Sequence, residues 1–220
     1  MKAFAGIDLG GTNIKYGLAD SRGKILTSKS RPSHADKGRN EILKRLEECA
    51  IELLEYASTN NLKVPYIGIG SPGTVDADRG KILGVSPNIP GWGGTNISGR
   101  LQKRLKTKVY VGNDANMMAW AEVLFGAARG YRNVLCTTVG TGIGGGVIMD
   151  GKLVIGSSYS GGEFGHIPIV KDGRKCNCGL KGCLEAYAGS DNLIAIAKRE
   201  IKAAGSKSKY RGKLSDLTVR

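Results

Sequence analysis

Residues 3–30, AFAGIDLGGTNIKYGLADSRGKILTSKS, begin with a short apolar segment and continue through two glycine turns. This pattern predicts three β-strands, over 3–9, 14–20 and 24–30, joined by tight turns. Strands joined by such short turns run antiparallel, so these residues are expected to form a meander. The first turn, GGTN at 10–13, would leave backbone N–H groups free at the end of a strand.

The rest of the chain alternates between helical and extended patterns. Apolar residues at helical spacing predict the longest helix over 39–58. In chain order we then expect a strand at 66–73 that runs into a Ser-Pro-Gly turn, an irregular loop at 85–94 with an exposed Trp92, a helix at 97–106 capped by Asn96, a strand at 108–112, a helix at 115–125, a strand at 133–140, a hairpin at 144–156, and helices at 184–188 and 191–204. This alternation predicts an α/β fold. Because Gly11-Thr12 and Gly140-Thr141 each lie between two strands, we expect two α/β domains of similar design.

Composition narrows the class of protein. The chain has 220 residues and a formal net charge of +14. Its apolar runs fall short of the roughly 18 residues that a membrane span needs, and its N-terminus lacks a secretory pattern, so we expect a cytoplasmic protein with no membrane partner. There, cysteines are thiols or metal ligands, and Cys49 and Cys136 are expected in the core. The basic residues are spread along the chain without interleaved aromatic residues, so no nucleic-acid partner is predicted.

The first glycine turn carries groups that suit a phosphate. Glycine lets backbone N–H groups approach phosphate oxygens closely, which fits Gly10 and Gly11. Thr12 and Asn13 add side-chain donors. Asp8, at the end of the preceding strand, is placed to reach Mg²⁺ directly or through water. The alternative is an ordinary hairpin turn without a ligand.

A second glycine-rich turn, VGTGIGGG at 139–146, matches the pattern G-x-G-x-x-G through Gly140, Gly142 and Gly145. The dinucleotide-binding form of that pattern requires a following helix, whereas the sequence here predicts a hairpin. We therefore exclude a dinucleotide site. We predict a second phosphate-binding turn, formed by Gly140, Thr141 and Gly142.

Asn113 and Asp114 lie between a predicted strand and a predicted helix. Asp114 can be read as the helix N-cap, a role worth about 1 kcal/mol. It can also be read as a catalytic base at the carboxyl edge of a sheet, where the sites of α/β proteins gather. Local sequence does not rank these two interpretations, and both can hold.

His166, Cys176, Cys178 and Cys183 form a strong metal-binding pattern. One nitrogen and three thiolates make a tetrahedral Zn²⁺ set, and four protein ligands are typical of a structural site. The acids Glu163 and Glu185 bracket this stretch. The stretch is therefore predicted to hold zinc and to present two carboxylates to a polar ligand.

Seven motifs occur in the chain in this order: DLGGTN (8–13), SPGTVD (71–76), PNIPGW (87–92), GNDANMMAWAE (112–122), VGTGIGGG (139–146), GGEFGH (161–166) and CNCGLKGCLE (176–185). In this order, and over nearly the whole chain, they resemble the ROK family of sugar kinases, repressors and related proteins, within the actin-like ATPase superfamily. The resemblance implies an α/β fold of two actin-like ATPase (ribonuclease H-like) domains with a cleft between them. These would be an N-terminal domain at 1–115, carrying the phosphate turn and part of the sugar site, and a C-terminal domain at 116–220 with the zinc loop. Because family kinases are longer, the second domain is expected to be incomplete and the chain to be truncated.

The resemblance also implies the chemistry. The phosphates of ATP, with Mg²⁺, would lie against the turns at 10–13 and 140–142. Asp114 would take the proton from the sugar 6-hydroxyl as that hydroxyl attacks the γ-phosphorus. His166 would hold zinc by one ring nitrogen and a sugar hydroxyl by the other. The side chains implied to hold a hexose are Asn88, Asn113, Asp114, Glu163, His166 and Glu185.

Several readings remain open at the level of sequence. The leading one is an ATP-dependent hexose kinase, with glucose as the favoured sugar, and a homodimer is expected from the family. A repressor of the family would carry a helix-turn-helix before the first strand, and a strand that begins at residue 3 leaves no room for one. A sugar-binding module that has lost catalysis is a third reading. Fructose or an N-acetylhexosamine as sugar, and polyphosphate as donor, also remain open.

Overall fold

The computed structural model describes residues 1–84, 86, 89–140 and 142–218. Within these residues the strands are β1 (Phe4–Leu9), β2 (Asn13–Ala19), β3 (Ile25–Pro32), β4 (Tyr66–Ser71), β5 (Val75–Asp76), β6 (Lys81–Ile82), β7 (Lys108–Asn113), β8 (Val134–Val139), β9 (Ile143–Met149) and β10 (Lys152–Leu153). The helices of the same residues are α1 (Arg39–Thr59), α2 (Ile97–Leu105), α3 (Asp114–Phe125), α4 (Glu185–Ala188) and α5 (Ser190–Ala204). Short 3₁₀ turns lie at Ala35–Lys37, Phe164–His166, Gly205–Lys207 and Leu214–Asp216. The α/β class is confirmed.

The first sheet has five strands in the order β3-β2-β1-β4-β7. β1, β2 and β3 pair antiparallel, which confirms the predicted meander. β1, β4 and β7 pair parallel, with Asp8 beside Gly70 and Gly70 beside Gly112. The carboxyl ends of these three strands therefore meet at one edge of the sheet.

One face of this sheet carries the main hydrophobic core. Along β1, Ala5, Ile7 and Leu9 are buried while the residues between them are not. This alternation follows from the period of two in a strand. The apolar stripe of α1 closes over the same face, where Leu46 and Leu53 are buried with Ile7.

Two details differ from what the sequence predicts. Trp92 is 1 % exposed, although the loop around it reads as exposed. Its indole N–H donates to Ser71 Oγ at 3.1 Å, so the ring fills the core and its one polar atom has a partner. Cys136 is partly exposed, not buried, whereas Cys49 is in the core as predicted.

The second sheet has three antiparallel strands in the order β10-β9-β8. α3 packs on β9, so this helix joins the two sheets. Much of the sheet is open: Leu135 and Val139 of β8 are 66 % and 54 % exposed. In the described part of the chain, α5 has no buried residue.

None of the helices that the structure describes is long and apolar enough to cross a membrane.

Candidate functional site

Asp8 and Asp114 approach each other at the carboxyl edge of the first sheet, on either side of Gly70. A Cβ at Gly70 would lie 3.8 Å from Asp8 Oδ1 and 3.7 Å from Asp114 Cβ. Gly70 therefore keeps the space between the two carboxylates open. Sequence reasoning missed this residue, although YIGIG places its glycines at alternate positions of a strand, which is a usable signal for a backbone that something approaches.

Asn113, and not Asp114, caps helix α3. Asn113 Oδ1 accepts the N–H of Asn116 at 3.0 Å, and its backbone is extended as an N-cap requires. The interpretation of Asp114 as the N-cap is therefore wrong. The Asn113 Nδ2 group also donates to Gly73 O at 3.2 Å, which ties the Ser-Pro-Gly turn to this strand end.

Asp114 is the first residue of α3, and its side chain is half-buried. Its Oδ1 accepts the backbone N–H of Ala115 at 2.9 Å. Burial raises the pKa of Asp114, and the negative charge of Asp8 adds to the rise, against the lowering effect of the Ala115 N–H. A carboxylate whose pKa is raised accepts protons more readily, which suits a general base.

Glu163 lies just before the 3₁₀ turn Phe164–His166. The charges of other predicted site residues affect the pKa of its carboxyl group. Burial raises the pKa of Glu163. The charge of His166 lowers it, and those of Asp114 and Glu185 raise it further. The structure therefore brings together Asp114 from the strand β7 end, Glu163 and His166 from one loop, and Glu185 from α4.

The first glycine turn is closed by hydrogen bonds on its inner side. Gly10 N–H donates to Asn13 O at 2.9 Å, and Ser33 binds the carbonyls of Gly11 and Thr12 at 2.7 and 2.8 Å. Within the part of the chain that the structure describes, the N–H groups of Gly11 and Thr12 have no acceptor. A Cβ at Gly11 would meet nothing within 4 Å, so the fold itself does not require glycine there.

The second glycine turn joins β8 and β9. Gly140 N–H donates to Gly142 O at 2.9 Å, and a Cβ at Gly140 would again meet nothing within 4 Å. The following glycines serve packing. A Cβ at Gly144 would lie 2.9 Å from Ala115 Cβ, and one at Gly145 would overlap the Phe164 ring. The absence of side chains thus lets α3 and the His166 turn approach β9 from opposite faces.

The four predicted metal ligands come together. The ligand atoms of His166, Cys176, Cys178 and Cys183 all lie within 4.8 Å of one another. Cys176 Sγ lies 3.6 Å from His166 Nδ1, and Cys178 Sγ lies 3.7 Å from Cys183 Sγ. Since Nδ1 faces the thiols, the Nε2 atom of the ring is left for another partner.

The chemistry of this set fits a cation. Burial raises the pKa of the Cys176 thiol to about 12, and hydrogen bonds with the neighbouring thiols add to the rise. A divalent ion reverses that preference, because a coordinated thiol is deprotonated. An N/S₃ set of this size is compatible with structural Zn²⁺.

Glu185 connects the metal set to the second glycine turn. Its Oε2 accepts the N–H of Ile143 at 2.9 Å, and its Oε1 lies 3.7 Å from Cys176 Sγ. Ser190, which sequence reasoning also missed, donates both its N–H and its hydroxyl to Gly140 O, at 2.8 and 2.5 Å. A serine directly after glycine at a helix start is the local signal that was available.

Two predicted site residues, Asn88 and Thr141, lie outside the described residues. Their predicted roles in binding sugar and phosphate stay predictions.

Comparison with known proteins identifies the family to which this chain belongs. The sequence profile of the ROK family matches residues 4–214. A solved structure, a ROK family glucokinase from Streptomyces griseus in complex with glucose and AMPPNP, superposes with a TM-score of 0.80 at 36 % identity, covering 91 % of this chain and 62 % of that one. The mixed α/β fold of that structure is the class to which this chain's fold belongs. The chain belongs to the ROK family.

Two relatives show the range of that family. A glucokinase from Thermotoga maritima is 38 % identical over 206 residues, which is 94 % of this chain and 63 % of the glucokinase. A xylose repressor from Bacillus subtilis is 35 % identical over 193 residues, which is 86 % of this chain and 48 % of the repressor. The chain thus spans less than two thirds of the length of these relatives.

Proposed function

We propose that the chain carries the sugar and zinc sites of an ATP-dependent hexose kinase and phosphorylates the 6-hydroxyl of its sugar, with glucose favoured. The observation that carries the proposal is Asp114. Its side chain is half-buried and its pKa is raised. Because Asn113 is the N-cap of α3, Asp114 does not serve that role, and it lies beside the open space at Gly70. A carboxylate so placed serves as the base for a sugar hydroxyl.

The two glycine turns support the phosphate part of the proposal. Gly11 and Gly140 are glycines that neither a crowded neighbour nor a positive φ explains. Room for an incoming phosphate explains both. Thr12, Asn13 and Thr141 would add donors, and Asp8 would hold the Mg²⁺ that accompanies ATP, which neutralises charge on the phosphates.

The loop from Glu163 to Glu185 supports the sugar part. His166 turns Nδ1 toward the thiols, so its Nε2 can donate to or accept from a sugar hydroxyl. Glu163, half-buried beside Asp114, is a hydroxyl acceptor of the kind that fixes a sugar ring. Zinc bound by the four-ligand set would hold the loop from Glu163 to Glu185 in place.

The test is glucose-dependent ADP release by the chain, compared with Asp114→Asn. Asp36→Asn, which changes an exposed acid in the first 3₁₀ turn, is the matched control. We expect release by the wild type and the control and a loss of about 10²–10⁴-fold in kcat for Asp114→Asn. Absence of ADP release by the wild type with ATP and any hexose, together with absence of hexose phosphate when polyphosphate is the donor, would refute the kinase proposal.

A second candidate function is sugar binding without catalysis, which the similarity to the xylose repressor favours. It predicts that glucose or xylose binds, that no ADP is released, and that Asp114→Asn has no effect beyond affinity. Calorimetric titration with each sugar, run beside the ADP assay, separates the two functions.

A further inference from the structure

One short segment, residues 185–190, contacts the second glycine turn on both sides. The N–H and the hydroxyl of Ser190 both donate to the carbonyl of Gly140, the first residue of the turn. The Glu185 carboxylate accepts the N–H of Ile143, the residue that follows the turn. The turn is thus held at its first and last peptide groups by side chains from another part of the chain.

The contact leaves little room for a side chain at Gly142. A Cβ at Gly142 would lie 3.2 Å from the Glu185 Cδ and would overlap its carboxylate. Gly140, by contrast, has an open side where a Cβ would meet nothing within 4 Å. Gly142 therefore packs against Glu185, whereas the space beside Gly140 is open.

The same segment ends the metal loop. Cys183 precedes Glu185 by two residues, and Glu185 Oε1 lies 3.7 Å from Cys176 Sγ. Leu184 N–H also donates to Ile167 O at 3.0 Å, next to His166. The ligand set and the glycine turn are therefore joined through the Glu185 side chain and the backbone of residues 183–185.

We propose that Ser190 and Glu185 are positioning residues that hold the second glycine turn in the shape that accepts a phosphate, and that they couple this turn to the metal set. The inference rests on the proposed function of the turn. It has a consequence that the proposed function alone does not have: loss of the metal weakens nucleotide binding as well as sugar binding.

The first experiment measures the affinity of the 220-residue chain for Mg·ATP and for glucose by calorimetric titration, in the wild type and in Ser190→Ala. Loss of one such hydrogen bond should weaken Mg·ATP binding about five- to tenfold. Glucose affinity and zinc content should not change, because the Ser190 hydroxyl donates to Gly140 O and not to a predicted metal or sugar ligand. Ser190→Thr keeps the hydroxyl and should restore binding, and Ser28→Ala, on exposed β3, is the control.

The second experiment uses hydrogen exchange of the Ile143 amide, which requires neither nucleotide nor turnover. Glu185→Ala, and removal of the metal with a chelator, should both speed this exchange, while Glu185→Gln keeps an acceptor and should slow it again. Unchanged Mg·ATP affinity in Ser190→Ala, or unchanged Ile143 exchange in Glu185→Ala, would overturn the inference. If the wild type binds no Mg·ATP, the proposed function fails, and the exchange of Ile143 alone then decides whether the segment holds the turn.

Discussion

At the scale of single residues, the structure separates two neighbouring roles that sequence leaves joined. Asn113 uses both ends of its amide, one to cap α3 and the other to hold Gly73. Asp114 accepts a hydrogen bond from the Ala115 N–H, and burial of its carboxylate disfavours the charged form. A carboxylate whose pKa is shifted by its surroundings is typical of functional positions.

The raised pKa of Asp114 predicts a cost in stability and a matching pH dependence of activity. Folding favours the neutral acid, so the folded chain loses stability as pH rises from the ordinary carboxyl pKa of about 4 through the raised value. At neutral pH, where Asp114 is ionised, the full loss of folding stability is present. Asp114→Asn should therefore raise the melting temperature while it lowers kcat. The kcat of the wild type should rise with pH, with its midpoint above the usual carboxyl range. Thermal denaturation and a kcat–pH profile measure both, and a lower melting temperature for Asp114→Asn than for Asp36→Asn would contradict the first.

At the scale of elements, the run of glycines in VGTGIGGG divides into two parts with different purposes. Gly140 belongs to the turn and has open space beside it, whereas Gly144, Gly145 and Gly146 belong to β9 and are covered by α3 and Phe164. The sequence motif alone does not distinguish them.

A pair of equal substitutions tests this division. A methyl group at Gly146 would lie 3.3 Å from Ala115 O and would press on the Ala119 side chain, so Gly146→Ala should destabilise the chain by about 1–3 kcal/mol. Gly140→Ala adds the same methyl group to open space, so it should leave the unfolding free energy unchanged and weaken Mg·ATP binding. Denaturant unfolding and nucleotide titration of both variants measure the contrast. Equal stability of the two would show that α3 does not pack on β9 as described.

The metal loop has little apolar packing to stabilise it. Its buried cluster consists of Cys176, Cys183 and Ala186, with Tyr187 packed against them. Zinc binding can contribute on the order of 10 kcal/mol to the folding of such a segment.

Removal of zinc, or Cys178→Ser, should therefore unfold residues 160–186 locally and abolish sugar binding, while the five-stranded sheet keeps its own core. Limited proteolysis, zinc analysis and glucose titration follow the three effects. Cys136→Ser, at a partly exposed cysteine outside the ligand set, is the control. Unchanged glucose affinity in protein shown to be free of zinc would contradict the role of this loop.

At the scale of the whole molecule, α3 joins the two sheets, and among the residues that the structure describes a hydrogen bond between two distant loops adds to this connection. The Tyr159 hydroxyl, from the loop before Glu163, donates to Asp78 Oδ2 at 2.9 Å, in the turn between β5 and β6. Tyr159 has a left-handed backbone, with φ of 58°. A non-glycine residue in that region is uncommon and is retained where surrounding contacts hold it.

Tyr159→Phe removes this contact and leaves the ring. Because the same loop presents Glu163, we expect the glucose dissociation constant to rise about two- to tenfold, with little change in the melting temperature. Tyr131→Phe, at a strongly exposed tyrosine of the α3–β8 connection, is the matched control. Equal glucose affinity in the two variants would show that the Tyr159 contact does not position the loop.

Much of the fold follows from local pattern. The meander, the amphipathic α1 and the cap at Asn96 are all present near the predicted bounds, because turn glycines, apolar spacing and capping act over a few residues. The sequence also predicted that His166, Cys176, Cys178 and Cys183 come together, because few other residue types bind a soft divalent ion. The burial of Trp92 could not be predicted from the sequence, since the ring fills a core built from strands distant in sequence.

The sequence by itself determined which groups are present: two glycine turns, a carboxylate at a strand end, and three cysteines with a histidine between two acids. Only the tertiary structure decided how they are connected. The parallel register of β1, β4 and β7 sets Gly70 between Asp8 and Asp114. The return of residues 185–190 to the turn at Gly140 gives Ser190 and Glu185 their partners. The reason is physical: capping and turn formation act through the local backbone, whereas a hydrogen bond between residues 40 or 50 positions apart exists only once the chain between them has folded.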